Sequence, residues 1–265
     1  MKYDIFLSHC KENKENTAFP LYQILNSLGF CVWFDREKIH TGDSIYNSIE
    51  SALYDSAIVV ALIRDTYLER QWTQYELNLA IRIEKDRLLG NSKRVFPVYQ
   101  QLEREDVENR FFQLKDRAFE SLTTDYFDIS ATECRTILDR IVFFYFSNSI
   151  SCQSVRSFEW LIPHKSDKYI SQLIILLNAC DHIEKDLRTS LISYTNAIRY
   201  LLAMLKQLQS INHSKNYYLI AKRYCDDIAK RCFSFDYEIT YEMLLSCKKI
   251  LWVLICDLKI LLNAF

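Results

Sequence analysis

The chain has 265 residues, of which 49% are hydrophobic and 25% charged, with a net charge of -1. That composition excludes a disordered chain and allows one large domain or two ordinary ones. The balanced charge gives no basic field for nucleic acid, because Lys222, Arg223, Lys230 and Arg231 are offset by Asp226 and Asp227.

Apolar, β-branched or aromatic runs at residues 4–7, 30–34, 57–63, 94–99 and 125–129 read as five strands. Segments of helical period separate them, as in Leu21, Ile24, Leu25 and Leu28. Strands alternating with helices predict an α/β fold with a parallel sheet, doubly wound in the flavodoxin-like order 2-1-3-4-5. The unbroken run 57–63 suits a central strand buried on both faces. In such a sheet ligands bind beyond the carboxyl ends of the strands, here between strands one and three. Strand one ends at Ser8-His9-Cys10 and strand three at Ile63-Arg64-Asp65, while strand two ends at Asp35.

The three glycines, Gly29, Gly42 and Gly90, all lie within the first 90 residues. The glycine-free remainder predicts helices with side-chain caps. Serines accumulate at 147, 149, 151, 154 and 157, which places a linker at residues 149–163 between an α/β domain (1–148) and an all-α helical bundle (164–265). Leu173, Leu176, Cys180, Ile183, Leu187, Leu191, Tyr194, Ile198, Leu201, Leu205 and Leu208 recur at steps of three and four. One long helix over that stripe is expected, with a break near Thr189-Ser190 as the variant, followed by helices near 217–232 and 237–262. Part of the stripe is available to pair with a second chain.

The nine cysteines are scattered and form no C-x-x-C pair, so no structural metal site is expected. With no signal peptide evident, reduced thiols and a cytoplasmic location are expected. The apolar run 250–256 is too short to span a membrane. His9, His40, His164, His182 and His213 are isolated, and none is assigned a catalytic role. The patterns G-x-G-x-x-G, G-x-x-x-x-G-K-[ST] and G-x-S-x-G are absent, which disfavours dinucleotide oxidoreductases, P-loop NTPases and α/β-hydrolases. Trp72 and Glu76 share a helical face at i, i+4. From spacing alone a packing tryptophan with a solvated glutamate is the favoured reading, and turn chemistry accounts for Asp35 and Asp43.

Four ordered segments carry a resemblance. Tyr3-Asp4-Ile5-Phe6-Leu7-Ser8 is similar to the first box of Toll/interleukin-1 receptor (TIR) domains. Phe34-Asp35 and Gly42-Asp43-Ser44-Ile45 resemble the second strand and the BB loop. Trp72-x-x-x-Glu76-Leu77 resembles the segment with the catalytic glutamate of TIR enzymes, and Phe96-Pro97-Val98-Tyr99 with Glu105-Asp106-Val107 resembles the fourth strand and its sequel. The likeness covers about residues 1–148. Arg64 departs from it, since many relatives have Ser after the third strand.

This resemblance implies an enzyme that cleaves NAD+ at the nicotinamide–ribose bond, with NAD+ as substrate and no cofactor. Glu76 would be catalytic, Trp72 would wall the pocket, and Phe6, Ser8 and Asp35 would line the nucleotide. Lys38, Ile39, Gly42 and Asp43 of the BB loop would join copies into a homo-oligomer, assisted by the C-terminal helices. A bacterial anti-phage immune effector is the implied setting, armed by assembly and answering an upstream sensor protein or signal, with a linear or cyclic ADP-ribose product. Two other readings stand beside it: a non-catalytic TIR scaffold, and an enzyme like the nucleoside deoxyribosyltransferases, which share the sheet type and a single glutamate. The helical half is expected to oligomerise or sense the trigger, with no chemistry of its own.

Overall fold

A computed structural model describes residues 2–35, 44–86, 94–115, 117–148, 161, 167–181, 186–208, 216–234 and 237–263. The chain divides into two compact units, Met1–Ser149 and Ile150–Phe265.

The first unit is built on a parallel sheet of β1 (Tyr3–Ser8), β2 (Val32–Trp33), β3 (Ser56–Ile63), β4 (Val95–Gln100) and β5 (Glu120–Leu122). Their order is β2-β1-β3-β4-β5, the doubly wound order expected from the sequence. β3 sits at the centre, pairing Ile5↔Ile58 on one side and Leu62↔Val98 on the other. Its residues from Val59 to Ile63 are almost wholly buried, which its apolar run requires. Pro97 is tolerated in β4 because β5 begins opposite Val98, so no ladder bond from Pro97 to β5 is needed.

The helices of this unit are α1 (Phe19–Leu28), α2 (Ile45–Asp55), α3 (Asp65–Glu69), α4 (Gln71–Asp86), α5 (Arg104–Arg110) and α6 (Thr132–Asn148). α1 ends at Gly29, whose φ of 99° closes the helix as Gly29 N–H donates to Asn26 O and Phe30 N–H to Leu25 O. α2 starts at Ser44, whose Oγ accepts from the Asn47 N–H at 3.5 Å. α4 packs against α2, β1 and β4, and α6 against β3 and β5. Leu77, Ala80 and Ile81 of α4 join Phe6, Val59 and Ala61 in one core, which fixes the rotation of α4 over the sheet.

The fifth strand lies at Glu120–Leu122, not at the 125–129 run expected from the sequence. That run is a loop. Phe127 N–H donates to Asn16 O, its ring is 4% exposed, and Asp128 accepts from the N–H and hydroxyl of Ser130 in an Asx turn. Adjacent aromatics in a loop, with Phe127 buried and Tyr126 exposed, read like a strand in sequence.

The second unit contains α7 (Lys168–Asp181), α8 (Leu187–Leu208), α9 (Asn216–Phe233) and α10 (Tyr241–Asn263). α8 packs against α7, α9 and α10, burying Leu191, Ile198, Leu201 and Leu205. The expected single helix over the 173–208 stripe is thus two helices packed on each other. Asp186 starts the second by accepting from the N–H groups of Arg188 and Thr189, both at 3.1 Å. Among the described residues no helix is long and apolar enough to cross a membrane. Most of the described cysteines are buried.

Candidate active site

The carboxyl ends of β1 and β3 supply the floor of the site. Ser8 is the last residue of β1, and Tyr67 lies on α3, the short helix that follows β3. α4 then brings Glu76 over both. Ser8 Oγ donates to Glu76 Oε2 at 2.6 Å and lies 2.7 Å from the Tyr67 hydroxyl. All three side chains are buried, with Ser8 2%, Tyr67 0% and Glu76 6% exposed. Thr73 Oγ1 donates to the carbonyls of Tyr67 and Arg70, tying the α3–α4 corner together.

Burial pushes the Glu76 carboxyl up to about 8, and the negative charge of Asp35 adds to the rise, against hydrogen bonds from Ser8 and Trp72. The Tyr67 phenol is pushed up by burial and by the Glu76 charge. Asp35 behaves oppositely. Burial raises it, but the hydrogen bonds and charges of His9 and Lys14 outweigh that and hold it well below the usual carboxylate range. One carboxyl is thus kept ionised while its neighbour is kept near neutrality, a division typical of sites where carboxyl groups have separate tasks.

Asp35 forms the mouth. Lys14 Nζ lies 2.9 Å from its Oδ1, and His9 Nε2 lies 3.4 Å from the same oxygen. His9 Nδ1 donates to Leu7 O, and the ring stacks on Phe34 at 4.9 Å. These groups, with Lys11, Arg70 and Trp72, line an open pocket of about 580 Å³. Trp72 stands one helical turn before Glu76 and lines the pocket, whereas the buried Glu76 carboxyl is not part of the lining. The Trp72 ring and that of Tyr46 meet in a T-shaped pair at 4.4 Å. Among the described residues no group of three or more His, Cys, Asp or Glu is arranged to hold a metal.

The family pattern described as the TIR domain matches residues 5–142, just over half of the chain. The chain belongs to the TIR-domain family. Curated relatives of this TIR domain include the NAD(+) hydrolase TcpC of Escherichia coli O6:H1, 30% identical over 43% of this chain and 36% of that protein. The 2' cyclic ADP-D-ribose synthase AbTIR of Acinetobacter baumannii is 30% identical over 44% of this chain and 42% of that protein. The chain thus spans less than half the length of these relatives. Among solved structures, the TIR domains of the activated Roq1 resistosome cover 52% of this chain and 99% of that chain, with a TM-score of 0.43 and 18% identity.

The structure brings Ser8, Asp35, Trp72 and Glu76 together at one end of the TIR sheet. Phe6, expected to line the nucleotide, has no exposed surface. It stacks on Trp33 at 4.3 Å, within the core beneath the site, so it is a support and not a lining residue. Ser8 likewise meets the carboxyl of Glu76 from below. Lys38, Ile39, Gly42 and Asp43 lie outside the described residues. Arg64 does not line the pocket, and its guanidinium lies 3.6 Å from Asp125 Oδ1. His9 was given no role on sequence grounds, yet it lines the pocket beside Asp35. Its position directly after Ser8, at the carboxyl end of a strand, was the available signal. Lys14 and Tyr67 carried no spacing signal.

Proposed function

We propose that this TIR protein cleaves the nicotinamide–ribose bond of NAD+, with Glu76 as the catalytic carboxylate. The observation that carries the reading is the buried carboxyl of Glu76, held by Ser8 on the same helix as Trp72 and Thr73, which line a pocket of about 580 Å³. A pocket of that size suits a nucleotide. The relatives named NAD(+) hydrolase and cyclic ADP-ribose synthase support the substrate.

The chemistry fits one carboxylate. Nicotinamide leaves as a neutral group, so no general acid is needed. The ribose gains positive charge as the bond breaks, and the ionised form of Glu76 stabilises that oxocarbenium-like state. Water or a hydroxyl of the same molecule then bonds to the ribosyl carbon and releases its proton to solvent, giving linear or cyclic ADP-ribose. Trp72 would wall the pocket, and Asp35 with Lys14 and His9 would hold the polar end of the nucleotide. The proposal includes assembly of copies through the BB loop and the C-terminal helices, and a role as an immune effector against phage.

Burial that holds Glu76 near neutrality predicts a rate that rises with pH, with a midpoint near 8 in the free enzyme. Nicotinamide release by the purified protein, with Glu76→Ala as the comparison, tests the assignment. A loss of about 10²-fold or more is expected for the variant. Equal release from the two proteins would remove Glu76 from the chemistry. A scaffold reading draws on one observation, that Oε2 of Glu76 is already satisfied internally as in a structural carboxyl. It predicts no NAD+ cleavage by the wild type at any pH or concentration.

A further inference from the structure

We propose that Tyr67 is a positioning residue for Glu76, acting through Ser8: its phenol O–H fixes the Ser8 hydroxyl so that the single serine proton points at Glu76 Oε2. The inference rests on the assignment of Glu76 as the reacting carboxylate, but its geometry is independent of substrate.

A serine hydroxyl has one proton to give. Ser8 Oγ stands 2.6 Å from Glu76 Oε2 and 2.7 Å from Tyr67 Oη. An ionised carboxylate only accepts, so the serine proton goes to Glu76, and the 2.7 Å contact is then satisfied only by Tyr67 donating to Ser8. The result is a directed chain from Tyr67 to Ser8 to Glu76. Each bond polarises the next in a low-dielectric interior, so the phenol strengthens a bond it does not itself make with the carboxylate. The chain is held rigidly. Tyr67 is fully buried, its N–H donates to Arg64 O at 3.0 Å, and its carbonyl accepts from Thr73 of α4, the helix that carries Glu76.

The other groups acting on this chain are few. Asp35, itself paired with His9 and Lys14, opposes the charge on Glu76. Trp72 hydrogen-bonds the carboxyl and lowers it. Cys10 acts on the Tyr67 phenol and raises it. None of them occupies the serine. Removing the phenol hydroxyl leaves Ser8 with one polar neighbour instead of two, free to rotate or to accept a proton from a neutral Glu76. The anion loses support, and Glu76 takes up its proton at higher pH.

The test is a carbon-13 NMR titration of the Glu76 side-chain carboxyl, assigned by Glu76→Gln, in the full chain without substrate. Tyr67→Phe is expected to move the midpoint upward by about half a pH unit or more. In a Ser8→Ala background the same change is expected to have no effect, because the link is gone. An unmoved midpoint in Tyr67→Phe, or an equal upward move with and without Ser8, would overturn the proposal. If Tyr67→Phe does not fold, 3-fluorotyrosine at position 67 keeps the ring and makes the phenol a stronger donor. A downward move supports the chain, and no move overturns it. Where the protein releases nicotinamide, the rate of Tyr67→Phe should fall at neutral pH and recover towards wild type above the shifted midpoint. A merely structural tyrosine would lower the rate at every pH. A wild type that releases none defeats the NAD+ reading while leaving the titration to decide the role of Tyr67.

Discussion

At the scale of the residue, Glu76 has a cost that can be measured without substrate. Its carboxyl ionises near 4.5 in the unfolded chain and near 8 in the folded one, chiefly because it is buried. Between those values the unfolded chain has released a proton that the native state keeps, so stability falls as pH rises. The contribution is fully present below about pH 4.5 and lost as pH passes through 8. At 1.36 kcal/mol per pH unit the loss approaches roughly 5 kcal/mol, an upper bound for a site that can relax. Glu76→Gln keeps the shape and removes the charge. It should melt higher than wild type at pH 8, with an advantage that shrinks towards pH 5. Thermal unfolding across that range checks it, and an advantage independent of pH would contradict the burial account. A residue that destabilises the fold yet is seated by a dedicated serine is better explained by function than by packing. Glu76 and Trp72 were legible in the sequence as a pair at i, i+4. Tyr67 was not, because a tyrosine in a five-residue helix has no periodic partner, and its meaning comes only from a contact 59 positions away.

At the scale of the element, the turns after β1 decide where the mouth of the pocket sits. A tight turn over Lys11–Asn13 and a wide one over Lys14–Ala18 carry Lys11 and Lys14 into the pocket lining. Wide turns of this kind are rare and concentrate at functional sites. Asn13 anchors them and is 1% exposed. Its amide nitrogen donates to Leu62 O and Gln100 Oε1, and its amide oxygen accepts from Cys10 N–H. Gln100 in turn donates to Thr17 and Thr124 O. Asn13→Ala would leave several buried polar groups without their partner, at about 2–4 kcal/mol. A lower melting temperature is expected together with a weaker hold of Lys14 on Asp35. The five-strand alternation and the central strand were legible because apolar runs and parallel sheets are tightly linked. The last strand was not, since Glu120-Ser121-Leu122 has no β-branched residue while the loop at 125–129 has an aromatic run. The helical stripe was misread for a related reason. Steps of three and four continue from one helix into the next as readily as along a single helix, and the Asp186 cap marks the restart.

At the scale of the whole molecule, each unit has its own core. The TIR unit buries Phe6, Trp33, Val59, Leu77 and Tyr99 in one cluster, and the helical unit closes around α8 without any of them. Units of about 100–150 residues with separate cores fold independently as a rule. A chain ending after Ser149 should therefore melt cooperatively on its own, with the Glu76 titration unchanged, since Ser8, Asp35 and Trp72, the polar and charged groups acting on that carboxyl, all lie in the TIR unit. What the helical unit would add is proximity. If it joins copies, the local concentration of TIR units rises without any change in the site itself. Nicotinamide release per full chain should then climb with protein concentration and saturate, while the truncated chain stays on the slow branch until it is crowded or tethered. Sedimentation measured alongside the rate separates the two contributions. Equal rates and equal sedimentation behaviour for both chains at every concentration would show that the second unit plays no part in arming Glu76.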